Sequence, residues 1–98
     1  MKQKAPSHLS ADSKKLFAAI IEDYEIDAAG EMVLIATLEA RDRRDQARAA
    51  IATAGATITD RFGVIKASPW TAIERDAATT MMRGFRLLGL DLPLGGGK

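Results

Sequence analysis

Between Asp27 and Gly55 runs "AAGEMVLIATLEARDRRDQARAAIATA", with no proline and a single glycine. Asp27 is a good N-cap and Gly55 a stop signal, so the pattern predicts a helix over 28–54. At about 1.5 Å per residue that helix spans roughly 40 Å, long for a chain of 98 residues. Gly30, in its first turn, is a weak point. The character of the stretch changes midway. "MVLIATL" (32–38) is apolar almost all round, which implies burial on more than one side. "EARDRRDQAR" (39–48) is charged nearly all round, with Glu39/Arg43 and Arg41/Asp45 spaced to pair at i,i+4. A thin stripe of Val33, Ala36, Ala40, Ala47, Ile51 and Ala54 continues throughout and suits a close neighbour helix, from the same or another subunit.

The flanking segments arrange themselves around this rod. Residues 1–9 read as a flexible arm. Ser10 caps a first helix from Ala11 to about Tyr24, with Leu16, Phe17, Ile20, Ile21 and Tyr24 on one apolar stripe and Lys14 and Lys15 toward the other side. After Gly55 the pattern breaks into two short β-like runs, Thr57–Thr59 and Val64–Lys66, around a Phe62-Gly63 turn. Ser68 then caps a third helix with Pro69 at its first position, where a missing N–H does no harm. Trp70, Ile73, Ala77, Met81, Phe85 and Leu88 line one face of that helix, and Gly89 and Pro93 end it. The fold class is mainly α: short helix, long helix, small β-hairpin at about 57–66, third helix. Residues 10–90 form the core and 91–98 a C-terminal tail.

One domain of this size buries only about 60–65 % of the surface its unfolded chain exposes. Although 47 % of the residues are hydrophobic, aromatics are 5 % and much of the rest is Ala, Ile and Leu. Three-residue strands are too short to be stable alone. Both points favour an oligomeric helical assembly, in which Ile58, Phe62, Val64 and Ile65 of the hairpin pack on a helix or on an adjacent protomer.

Several classes of chemistry are disfavoured. The chain has no Cys and one His, His8, so clustered zinc ligands are missing and a Ser-His-Asp arrangement would have to use a His in the arm. "GGGK" lacks the remainder of a phosphate-binding loop, and Glu22, Asp23, Glu25, Asp27 and Glu31 match no calcium-loop spacing. No metal, no cofactor and no enzymatic activity are expected. Nothing resembles a signal peptide or a membrane span, and the expectation is a soluble cytoplasmic protein.

Charge is distributed unevenly. Residues 1–40 carry four Lys against seven acids, and residues 41–98 carry ten basic groups against six acids, including all eight arginines. Opposite-sign surfaces of this kind suit head-to-tail packing or a nucleic-acid face. Two sets of candidate DNA contacts follow: Arg41, Arg43, Arg44 and Arg48 on the long helix, and Lys2, Lys4, Lys14 and Lys15 on and beside the arm. The competing role for the arginines is an ion-pair network with Glu39, Asp42 and Asp45.

The order of elements, opened by "HLSADSKKLFAAIIEDYEID", resembles the small subunit of bacteriophage terminase. "LEARDRRDQARAAIATAG" running into "TDRFGVIKASP", and the closing "ERDAATTMMRGFRLLGLDL", carry the likeness over about residues 8–92. The resemblance implies a non-catalytic, ring-forming adaptor that helps recruit double-stranded DNA to the large terminase subunit for genome packaging, in a phage or a phage-derived gene transfer agent. It also makes the apolar C-terminal end, with Leu88, Leu90, Leu92 and Leu94, a candidate contact for the large subunit. Many relatives carry a helix-turn-helix domain ahead of the ring-forming helices; here nine residues precede helix one, which favours non-specific DNA binding. Relatives often have His before the Pro of the third helix, where Ser68 reads as a cap. The alternatives are a small dimeric helical DNA-binding regulator and a structural assembly protein that does not touch DNA.

Overall fold

The computed structural model describes residues 4–90. Each helix begins where a short polar side chain captures a free N–H. The Ser10 hydroxyl accepts from the Ser13 N–H (3.1 Å) at the start of α1, Ala11–Asp23. Asp27 accepts from the Gly30 N–H (2.8 Å) to open α2, Ala28–Ala54, which stops at Gly55. Ser68 accepts from the Trp70 N–H (3.2 Å) and Pro69 is the first residue of α3, Pro69–Leu87. The expected order of elements is the observed one.

α1 folds back along the first half of α2, and α3 runs antiparallel along most of its length. Three contacts fix that second alignment: Leu88 beside Gly30, Gly84 against Thr37, and Arg48 paired with Glu74 at 2.7 Å. Between α1 and α3 lies the core of Leu9, Phe17, Ile20, Leu34 and Leu38, with Leu16, Ile21, Ile26, Ile35 and Phe85 packed around it. "MVLIATL" is thus buried on two sides, by α1 and α3, while Met32 remains 74 % exposed on a third. The core starts before Ser10. Leu9 is buried and Ala5 packs beside it, so the C-terminal part of the segment read as a flexible arm belongs to the folded body. Tyr24 is the C-cap of α1 and exposed, rather than the last residue of its buried stripe.

The small-residue stripe divides. Ala40 and Ala47 are fully buried within the single chain, so they are not surface available to a neighbouring subunit; in the same helical pair, Ala77 and Met81 of α3 are buried too. Val33 and Ile51 are half-buried, and Ala36 is exposed. Alanine at these positions lets α2 and α3 approach closely.

Past Ala49 no part of α1 accompanies α2. Only α2 and α3 continue, and the hairpin closes their far end, giving an elongated body of 57 × 33 × 20 Å. The strands are β1, Thr57–Thr59, and β2, Ile65–Ala67, antiparallel with Thr57 opposite Ala67 and Thr59 opposite Ile65. β2 therefore starts one residue later than the expected Val64–Lys66. The reason is Asp60, whose carboxylate accepts from the N–H groups of Phe62 (2.8 Å) and Val64 (3.0 Å). The Val64 carbonyl in turn accepts from the Asp60 N–H, so Val64 closes the loop instead of entering the ladder. Gly63, at φ 79°, takes the left-handed position the loop requires.

Candidate nucleic-acid and assembly surfaces

A short polar side chain near the middle of α2 joins the N-terminal segment to the body. Asp42 accepts hydrogen bonds from the Ser10 N–H (2.8 Å), the Ser10 hydroxyl (2.6 Å) and the Ser13 hydroxyl (2.6 Å). Arg41 donates to the same Ser13 oxygen at 3.3 Å. One turn earlier, Nε2 of His8 lies 2.7 Å from Glu39. Burial works to raise the Asp42 pKa. The Ser10 and Ser13 hydroxyls, the Ser10 N–H and the Arg41 charge outweigh it and hold the carboxyl below its ordinary range. A shallow groove opens beside this clamp, lined by His8, Glu39, Asp42, Arg43 and Gln46. Among the described residues no group of three or more His, Asp or Glu is arranged to hold a metal ion.

The α2 arginines separate into two kinds. Arg41 and Arg44 both reach Asp45, at 3.6 and 3.1 Å, and their side chains are only 22 % and 17 % exposed. Arg48 joins α2 to Glu74 of α3. The first two pairs lie within α2 itself, and the third links α2 to α3. Arg43 differs: Glu39 turns to His8 instead of to it, and among the described residues Arg43 is exposed with no ion-pair partner. Lys4, Lys14 and Lys15 are exposed as well, and Lys2 lies outside the described residues. The Ser13–Asp42 bond brings Lys14 and Arg43, the chain neighbours of its two ends, to the same level of the molecule. Of the candidate DNA contacts among the described residues, Arg43, Lys4, Lys14 and Lys15 are therefore exposed and outside any ion pair.

At the hairpin the distribution is apolar. Phe62 is 76 % exposed and Ile65 70 %, with Val64, Ile58 and Trp70 also open to solvent. Every strand residue is exposed, and the chain's own cover is partial: Ile58 and Val64 are about half open, and Phe62 and Ile65 mostly so. The Arg61 guanidinium stacks 5.0 Å from the Phe62 ring centroid, and Lys66 pairs with Asp60 at 3.3 Å. The Val64 N–H above all lowers the Asp60 pKa; desolvation opposes this, and the Phe62 N–H and Lys66 add to the lowering. A depressed carboxylate stabilises its loop above the unfolded-chain value, about 3.9 for Asp, and ceases to do so as the pH falls through the folded value. Acidification through that window is expected to release the Phe62 and Val64 amides, measured by hydrogen exchange or amide chemical shifts, whereas Asp60→Ala shows released amides at every pH.

The C-terminal candidates resolve differently. Leu88 and Leu90 pack, partly buried, against the core cluster of their own chain. Leu92 and Leu94 lie outside the described residues.

Residues 13–92 fit the family model described as phage terminase, small subunit, which covers most of the 98-residue chain. The chain belongs to the phage terminase small subunit family. No curated protein and no solved structure matches it. Membership gives this terminase subunit a role in phage DNA packaging. Among the described residues no helix is long and apolar enough to cross a membrane.

The Asp42 clamp escapes sequence reasoning because its partners lie 29 and 32 residues away. Asp42 reads there as one more acid among arginines. The only local signal is the pair of serines, three apart, at the start of α1.

Proposed function

We propose that this terminase subunit is a non-catalytic, ring-forming adaptor that brings double-stranded DNA to the large terminase subunit. The observation that carries the reading is the hairpin. It presents four large apolar side chains to solvent, Ile58, Phe62, Val64 and Ile65, with Trp70 of α3 beyond them, and its strands of three residues are marginal in isolation. A monomer rarely leaves such a patch open, and a surface of this kind marks an interface. The DNA-facing role falls to Arg43, Lys14, Lys15 and Lys4, cations not consumed by internal pairs. Four such groups on one chain bind weakly, but copies arranged in a ring multiply them into a usable avidity. Contacts made to phosphate alone carry no sequence information, in keeping with a non-specific grip.

Light scattering combined with DNA retention over a salt series tests both halves. The expected results are an assembly of many subunits, and retention that falls steeply with salt. Replacing Arg43, Lys14 and Lys15 together with alanine should flatten the log–log salt slope by about one unit for each phosphate that a subunit no longer neutralises. Arg48→Ala should instead lower stability with little change in slope. A dimer with preference for one DNA sequence would favour a regulator, and an assembly indifferent to DNA a purely structural protein.

A further inference from the structure

The ring reading leaves open which surfaces meet. We infer that the hairpin end of one copy docks on the acidic corner between α1 and α2 of the next, a head-to-tail contact between unlike surfaces of the same chain.

The two ends of α2 are chemically complementary. At its C-terminal end stand Phe62, Val64, Ile65 and Trp70, all exposed, under the charge of Arg61. Lys66 there is already matched by Asp60, so Arg61 supplies the hairpin's surplus charge. At the N-terminal end, the run from Glu22 to Glu31 contains five acids and no Lys or Arg. Asp23, Glu25 and Asp27 in it are exposed, and exposed Tyr24 and Met32 supply apolar surface beside them. A 27-residue helix holds these ends roughly 40 Å apart, so one copy cannot satisfy both by itself.

Two other occupants fit less well. Pairing two hairpins with each other sets Arg61 of one against Arg61 of the other, and like charges in contact are unfavourable. DNA would meet four large apolar groups and one surplus cation, the wrong proportion for a phosphate contact. Docking on the corner gives Arg61 carboxylate partners and covers Phe62 and Ile65 with Tyr24 and Met32. Because the two surfaces differ, the contact repeats in one direction and closes as a ring when the rotation allows.

This inference rests on the ring reading above, and the test separates the two. Phe62→Asp alters only the hairpin, and Met32→Asp combined with Glu25→Arg alters only the corner. All three positions are exposed, and circular dichroism confirms that the fold is kept. Each variant alone should require about tenfold or more higher concentration to assemble. Mixed one to one, at the concentration where the native chain is fully assembled, they share one intact contact: the hairpin of the corner variant on the corner of the hairpin variant. The mixture should stop at a heterodimer. A mixture that stays monomeric overturns the inference, and so does a corner variant that dimerises by itself, which would mark pairing of like surfaces. Native-like assembly of Phe62→Asp also overturns it and leaves the ring standing. Should that variant assemble normally yet lose DNA retention, the hairpin is a DNA contact instead. A native chain that is monomeric at every concentration removes the ring reading itself, and this contact with it.

Discussion

Gly84→Ala is expected to lower the thermal midpoint of this subunit by roughly ten degrees, since about 2 kcal/mol corresponds to that shift in a domain of this size. Gly84 is buried in α3 where it crosses Thr37 of α2. A methyl group placed on it would overlap the Thr37 hydroxyl and stand 2.9 Å from its Cβ and 3.1 Å from its Cγ2. Rotating Thr37 does not clear the space, because the Cβ itself is too close and the hydroxyl is tied to the Val33 carbonyl at 2.7 Å. The helices must then separate. Overpacking of this kind costs about 1–3 kcal/mol, and the unyielding neighbour places it at the upper end. The better helix propensity of alanine returns only about 1 kcal/mol. Tight packing therefore wins over propensity. Gly84→Val should cost more, and Thr37→Ala should partly rescue Gly84→Ala by removing two of the three close atoms. Equal or raised stability of Gly84→Ala, measured by thermal or denaturant unfolding, would sink this account.

Asp42→Ala should release the N-terminal segment and destabilise the chain by about 3 kcal/mol, taking hydrogen bonds to a charged acceptor at about 1.5–3 kcal/mol each and counting them as less than additive. Its removal leaves the Ser10 N–H and the Ser13 hydroxyl without their acceptor, and Ser13 is fully buried. Asn at this position keeps the shape but turns an amide N–H toward donors, so it recovers little. The pH dependence gives a second readout. The Asp42 pKa is depressed in the folded chain, so its contribution is complete above the unfolded value of about 3.9 and is lost as the pH falls through the folded value. Asp60 titrates in the same direction, so the Asp42 share is the part of the acid destabilisation that Asp42→Asn abolishes. An unchanged acid profile in that variant would exclude Asp42 as the clamp.

The elements themselves were legible because their signals are local. Ser10, Asp27 and Ser68 each sit at the N-cap that their side chains suggest, and Gly55 at the stop, since capping needs only neighbours in the chain. The apolar stripe of α3 reads correctly through Ala77, Met81 and Phe85 because helical period and burial face coincide there. The one-residue shift of β2 was not legible, because it depends on Asp60 Oδ1 accepting from two amides at once. Nor was the sorting of the arginines. On a helix charged nearly all round, spacing alone offers Arg43 to Glu39, and only the position of His8 withdraws that partner.

By itself the sequence determined the helices, their boundaries, the presence of a hairpin and the terminase likeness, all properties carried by short-range spacing and residue type. Tertiary structure decided which surfaces are spent inside the chain and which are left outside. Ala40 and Ala47 went to the interior and Leu88 and Leu90 pack half-buried against it, while Phe62, Ile65 and Arg43 remained at the surface. The physical reason is that burial and ion pairing depend on where α1 and α3 lie along α2. That placement is set by contacts far apart in the chain, which no local pattern encodes.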